Sequence, residues 1–152
     1  MSRSALAAAL TLTLACADAP ASPEERVRAV LAAIEMAAEA RDAGALKEHV
    51  SETYGDARGN DARALAGIAT FHFMQHRSVY LLTRVRHVEV SAPGEARAVA
   101  LVAMAGTPIP GPEALPGLSA NLYYFDVRLR EEDGTWRLTS AEWEPATADD
   151  FR

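Results

Sequence analysis

The chain has 152 residues, with 15 Lys and Arg against 21 Asp and Glu, and a formal net charge of −6. This length suits a single domain, and the acidic balance argues against a nucleic-acid partner, which would call for a basic stripe. The only cysteine, Cys16, excludes an intrachain disulfide and a thiolate metal cluster. The core must therefore hold the fold without a cross-link.

The first fifteen residues have the pattern of a secretory signal. Arg3 precedes an uninterrupted run of small and apolar residues from Ala5 to Ala15. Eleven residues suit the apolar core of a signal peptide, whereas a membrane-spanning helix needs about 20. We therefore predict a signal peptide over residues 1–15.

The sequence LTLAC, which ends at Cys16, resembles the lipobox of bacterial lipoproteins. Thr13 and Leu14 depart from the usual lipobox residues. The resemblance implies an acylated Cys16, a tether over 16–21, and a protein anchored by lipid on the periplasmic side of a bacterial cell envelope. The alternative is an ordinary signal peptide cut after an alanine.

Three helices are predicted in the first half of the chain. Ser22 and Glu25 form a Ser-x-x-Glu capping box, after which apolar residues recur at helical spacing. Gly44 interrupts this pattern, so a short second helix is expected over 45–50. Apolar spacing resumes over 62–77 and predicts the third helix, with Asp61 as its N-cap.

From Ser78 onward, the period of the apolar residues changes to two, which is typical of half-buried strands. Strands are predicted over 78–90, 97–105, 121–130 and 136–143. The turn sequence EEDG joins the last two, and the odd positions of the third form its core face. Helices followed by a four-stranded antiparallel meander predict an α+β fold with the helices on one face of the sheet.

The order of elements, the break at Arg41-Asp42 and Gly44, and the closing strand DGTWRLTSAEW resemble the nuclear transport factor two-like superfamily, which includes the SnoaL-like proteins. The resemblance implies a cone-like domain over 22–144, with a tail over 145–152. In such a cone, three N-terminal helices pack on a strongly curved four-stranded sheet, and a pocket lies at the open end.

The stretch GTPIPGPEALPGL joins the second and third strands and carries four of the eight prolines. Proline removes backbone donors, so we predict no regular strand over 107–117. We expect Ile109 or Leu115 to tuck inward over the sheet edge. Because a cone rim can border a ligand, Ile109, Leu115 and Tyr124 are the candidate ligand-binding residues.

His72 and His76 lie four residues apart and share one face of the third helix. Two imidazoles at this spacing can grip a metal, but zinc takes three or four ligands, and neither HExxH nor a Cys/His cluster completes the set. We therefore expect no metal site and no cofactor. The simpler interpretation places one histidine in helix packing and the other at the surface.

Glu142 is the candidate acid of the fourth strand. Counting by twos from Trp136 places Glu142 on the core face, opposite the aromatic side of the third strand that carries Tyr123. There it could meet His72 or His76 and do acid–base work. The alternative is that the strand bulges or frays near its end and Glu142 reaches water.

The same count points Trp143 away from the helices, and an exposed tryptophan often anchors an interface. We therefore expect a homodimer through the outer face of the sheet.

Two functions remain open. The first is a lipid-anchored domain that binds an apolar small molecule or an envelope protein; the alternative is a cavity enzyme that transfers protons, as isomerases and dehydratases do.

Overall fold

The structure is a computed structural model that describes residues 20–152. The predicted signal peptide, Cys16 and most of the tether lie outside the described residues. Among residues 20–152, no helix has both the length and the apolar character needed to cross a membrane.

Three helices precede the sheet: α1 (Pro23–Glu39), α2 (Ala43–Glu48) and α3 (Ala62–Gln75). The predicted capping box of α1 is confirmed, since Ser22 and Glu25 satisfy each other's backbone N–H groups. Helix α2 begins two residues earlier than predicted, because the Asp42 side chain accepts a hydrogen bond from the Ala45 N–H at 2.9 Å. Asp61 caps α3 in the same way.

The strands are β1 (Tyr80–Ala92), β2 (Glu95–Ala105), β3 (Ala120–Glu132) and β4 (Thr135–Pro145). They pair antiparallel in the order β1-β2-β3-β4, which confirms the predicted α+β meander. The last turn uses only the second half of EEDG. Asp133 and Gly134 alone form it, with φ angles of 50° and 79°, as a two-residue hairpin turn requires.

The inner face of the sheet is the one that packs against the helices. The main core lies there, between Val27 of α1 and the largest fully buried side chains of β3 and β4, Leu129 and Trp136. Val27 and Trp136 are 0% and 1% exposed. Arg26 also reaches this end of the core, where it donates a hydrogen bond to Glu131 at 2.5 Å. This packing closes one end of the space between the helices and the sheet.

Strand β4 contains a bulge that reverses its alternation. Leu129 pairs with Leu138, but the preceding residue of β3, Arg128, pairs with Ser140, so Thr139 is an extra residue. Beyond it the odd positions face inward. Trp143 therefore lies on the inner face, and Glu142 is exposed on the outer face.

The bulge lies where a second segment pairs with the edge of β4. After α2 the chain runs beside this strand: Ser51 N–H donates to Leu138 O at 2.8 Å, and Gly55 N–H donates to Thr139 O at 3.0 Å. The extra residue thus has a backbone partner, as a buried carbonyl needs. The inward Glu142 and outward Trp143 given by the count by twos were wrong because that count assumed an unbroken strand, whereas the alternative of a bulge that lets Glu142 reach water is confirmed. The homodimer stays a prediction, now without Trp143 as its anchor.

The proline-rich stretch contains no β-strand, as predicted, and forms a short 3₁₀ helix at Pro112–Gly117. Leu115 of this helix is 3% exposed and packs against Leu101 and Ala103. These two β2 residues alternate with the inward-facing ones, so Leu115 covers the outer face of the sheet. The loop is long because it must fold back over that face.

The C-terminal segment joins the same outer cluster. Residues Ala148–Phe151 form a second 3₁₀ helix, and Phe151 is 0% exposed beside Leu115. Arg84 donates a hydrogen bond to the Phe151 carbonyl, and Arg86 donates one to the Asp150 carbonyl at 2.8 Å. The last residues are therefore a packed part of the domain.

Candidate functional site

A cavity of about 370 Å³ lies between the three helices and the inner face of the sheet. All four strands contribute to its wall. Its position matches the pocket that the family resemblance implied, at the end of the sheet away from Trp136.

The strand pairing arranges the wall in rows that cross the sheet. In the middle of the cavity, Ala100 pairs with Phe125, which pairs with Trp143. The rings of Phe125 and Trp143 stack with their centroids 5.9 Å apart. The next row toward the closed end contributes Val127 and Ala141, so the deep part of the sheet wall is apolar.

Toward the open end, the rows become polar. Thr83 pairs with Val102, which pairs with Tyr123, and the final row ends at Asn121. Asn121 is exposed at the mouth of the cavity, whereas Tyr123 is half-buried. The sheet wall thus changes from apolar to hydrogen-bonding as it approaches solvent.

Glu35 and His72 add two polar side chains from the helices at this end. Helix α1 runs from the closed end toward the mouth, where Glu39 accepts a hydrogen bond from the Leu81 N–H at 2.9 Å. Glu35 lies one turn before Glu39. His72 lies near the C-terminus of α3, close to the chain's entry into β1.

We call these five side chains the polar ring: Glu35, His72, Thr83, Asn121 and Tyr123. The ring combines one carboxylate, one imidazole, two hydroxyls and one amide. No Lys or Arg is among the described residues that line the cavity. The charge of the ring is therefore negative when His72 is neutral.

His72 is the member of the ring that has a buried polar atom without a hydrogen bond within residues 20–152. Its Nε2 is buried and has no hydrogen-bond partner among the described residues. Burial, together with the neighbouring His76, lowers the pKa of His72 below its ordinary value. The two imidazoles stack with their centroids 4.0 Å apart. His72 is thus held as a neutral imidazole at neutral pH.

The structure brings His72 and Tyr123 together at the cavity, and it separates the other candidates from them. Glu142 and Tyr124 lie on the outer face, and His76 is exposed. Ile109 and Leu115 belong to the outer cluster and do not line the cavity. The loop that carries them turns away from the mouth.

Glu35 was missed by the sequence analysis. Leu31, Ile34 and Ala38 follow the helical spacing of the α1 stripe, and Glu35 stands next to that stripe. A charged residue beside an apolar stripe usually faces solvent, because charged residues are seldom buried. The sequence signal that could have identified Glu35 was an acidic residue at the border of the apolar stripe of α1.

Trp143 is fixed from the side opposite the cavity. The Arg58 guanidinium lies 4.0 Å from the centre of its ring, and Arg58 Nη2 donates a hydrogen bond to the Trp143 carbonyl at 2.9 Å. Asp56 shapes the loop that carries Arg58 by accepting hydrogen bonds from the N–H groups of Arg58 and Asn60, both at 2.9 Å. This loop gives the cavity a rigid aromatic wall.

No protein-family model matches the sequence, and no curated protein matches it either. Solved structures do match. An NTF2-like family protein from Streptomyces avermitilis, named as a candidate dehydratase, has a TM-score of 0.64 at 15% identity, over 82% of this chain and 96% of that one. A ketosteroid isomerase-like protein from Erwinia carotovora atroseptica has a TM-score of 0.62 at 12% identity, over 82% and 96%.

An NTF2-like protein of unknown function from Shewanella oneidensis MR-1 is similar to the same degree, with a TM-score of 0.61 at 12% identity, over 80% of this chain and 98% of that one. At these identities the likeness concerns the fold alone. The fold is similar to that of these NTF2-like proteins. These neighbours include proteins named for enzymes and proteins without a known function.

Proposed function

We propose that this domain binds an apolar small molecule in its cavity while a lipid at Cys16 holds it at the periplasmic side of a bacterial membrane. The observation that carries the binding proposal is the apolar depth of the cavity, which Phe125, Trp143 and Val127 line. Protein ligand sites are concave, mostly apolar and carry a few polar groups.

The size of the cavity sets the size of the ligand. An engineered cavity of about 150 Å³ binds benzene, whereas this one measures about 370 Å³. A body of two fused rings or a medium-length alkyl chain would therefore fill it. Removing such a body from water supplies the binding free energy, at roughly 25 cal/mol per Å² of apolar surface.

Fluorescence of the neutral dye N-phenyl-1-naphthylamine tests this proposal. We expect saturable binding of one dye per chain, and loss of that binding in Ala100→Phe, which fills the middle row of the cavity. Ala92→Phe, at the exposed end of β1, is the matched control. No saturable binding to a folded wild-type domain would contradict the proposal.

The anchor proposal rests on the apolar run that ends at Cys16 and on the resemblance of LTLAC to a lipobox. Cell fractionation of Cys16→Ala provides its test. We expect the wild-type protein in the membrane fraction and full-length Cys16→Ala protein in the soluble fraction. Membrane retention of the variant at the wild-type level would contradict the anchor.

A second candidate function is proton transfer within the same cavity. Glu35 and His72 both line the cavity, and a neutral imidazole is a competent general base. Two of the structural neighbours are named for dehydratase and ketosteroid isomerase-like proteins. The carboxylate in this proposed proton transfer is Glu35, whereas the sequence-based hypothesis used Glu142.

Hydrogen–deuterium exchange of a hydrophobic ketone, 2-tetralone, in deuterated buffer tests proton transfer. Catalysed exchange next to the carbonyl, lost in His72→Gln and in Glu35→Gln, would support it. An exchange rate equal to that of buffer, from protein that still binds the dye, would leave binding as the function.

A further inference from the structure

We propose that the cavity selects its ligand by the charge of the ligand's polar end: it takes apolar molecules that end in a hydroxyl or amine group and rejects those that end in a carboxylate. This inference rests on the proposed ligand binding. It adds the orientation of the ligand and the chemical class of its polar end.

The orientation follows from the gradient of polarity along the cavity. Apart from the indole N–H of Trp143, each polar side chain of the lining belongs to the polar ring at the mouth, and the rows of Phe125 and Val127 behind it offer no other hydrogen-bonding side chain. A buried polar group without a partner costs about 1–3 kcal/mol. The ligand therefore enters with its apolar end first and leaves its polar end at the mouth.

The charge preference follows from the composition of the polar ring. Glu35 is the only Asp, Glu, Lys or Arg among the described lining residues, so an anionic end would meet a like charge and no cation. Like charges that are brought together in a partly desolvated site repel more strongly than they do in water. The negative charge of Glu35 stabilises a protonated amine at the mouth and has little effect on a neutral hydroxyl.

His72 supplies the hydrogen bond that fits these ends. Its buried Nε2 has no partner among the described residues, and its ring is neutral at neutral pH. A neutral imidazole can accept from a hydroxyl or an amine. A carboxylate can accept hydrogen bonds from the Tyr123 and Thr83 hydroxyls, but no lining cation offsets its repulsion by Glu35.

A matched series of 1-decanol, decylamine and decanoate tests the preference by displacement of N-phenyl-1-naphthylamine at pH 7.5, below the micelle concentration of each compound. We expect decanoate to bind at least about tenfold more weakly than the other two. In Glu35→Gln, we expect decanoate to gain about tenfold and decylamine to weaken, with decanol unchanged. His72→Phe should weaken decanol by about 3- to 10-fold without restoring decanoate.

Glu24→Gln is the matched control, because it removes the same charge from the same helix at the closed end of the domain, where Glu24 is exposed. Its ligand preference should equal that of the wild type. Decanoate binding as tight as decanol binding in the wild type, or an unchanged order in Glu35→Gln, would overturn the charge preference. Failure of the wild type to bind the dye at all would instead remove the proposed function.

Discussion

Phe151 closes the outer cluster, although it stands only one residue before the last one. The side chain is 0% exposed and packs with Leu115 of the proline-rich loop and Leu101 of β2. Replacing a buried Phe by Ala costs about 3–5 kcal/mol when the surroundings cannot collapse. A terminal segment can detach locally, which places the expected cost of Phe151→Ala at the lower limit, about 3 kcal/mol.

Urea unfolding followed by circular dichroism measures this cost. A loss of about 3 kcal/mol corresponds to a fall in Tm of roughly 6–12 °C for a domain of this size. Hydrogen exchange should show a second effect. Because Leu115 loses its partner, the amides of 106–119 should exchange faster in Phe151→Ala than the loss of global stability alone requires.

Two controls separate this local effect from general damage. Phe73→Ala removes another buried ring, 7% exposed, from α3 and should destabilise the domain without selective exchange in the loop. Arg152→Ala breaks an exposed ion pair with Asp149 and should change stability by less than about 0.5 kcal/mol. Wild-type stability and wild-type loop exchange in Phe151→Ala would refute the argument that the tail and the loop hold each other.

Three further changes have expected outcomes. Burial lowers the pKa of His72, so the unfolded chain takes up a proton before the folded protein does as pH falls below about 6.5. Urea unfolding at pH 7.5 and 5.0 should therefore show a lower free energy of unfolding at pH 5.0, and this loss should be smaller in His72→Gln. Equal losses in the wild type and the variant would contradict this. Hydrogen bonds from Arg97 lower the pKa of Asp126, so Asp126→Asn should cost about 0.2–1 kcal/mol at pH 7. That cost should be lost as pH falls through the folded pKa of Asp126, and a cost that does not change with pH would count against the ion pair. Arg58→Ala should cost about 0.5–1 kcal/mol and change the near-ultraviolet circular dichroism of Trp143, whereas an unchanged spectrum would show that Arg58 does not fix the ring.

The sequence was most informative where local chemistry decides the structure. Ser22 with Glu25 and Asp61 each fix a helix start through side-chain hydrogen bonds to nearby backbone N–H groups, so residues three apart were enough to predict them. The alternation in β3 likewise predicted which residues face the helices. These features depend on neighbours in sequence and need no knowledge of distant contacts.

The site was less predictable because distant pairing decides it. The bulge at Thr139 carries neither Gly nor Pro, and its backbone partner, Gly55, lies far away in the sequence. The sequence of β4 therefore allowed a bulge as an alternative but did not locate it at Thr139. The destination of the proline-rich loop also depended on Phe151, a residue that reads as part of a polar tail.

The extra residue in β4 has a consequence for comparing this chain with its structural relatives. An alignment that runs through Thr139 without a gap would assign every later residue of the strand to the opposite side of the sheet. It would equate Glu142 with an inward position and Trp143 with an outward one. Deleting Thr139 from the protein would turn Glu142 inward and Trp143 outward, which would put a second carboxylate into the cavity wall. Which side chains of β4 face the cavity thus depends on the presence of Thr139 as much as on the residues that follow it.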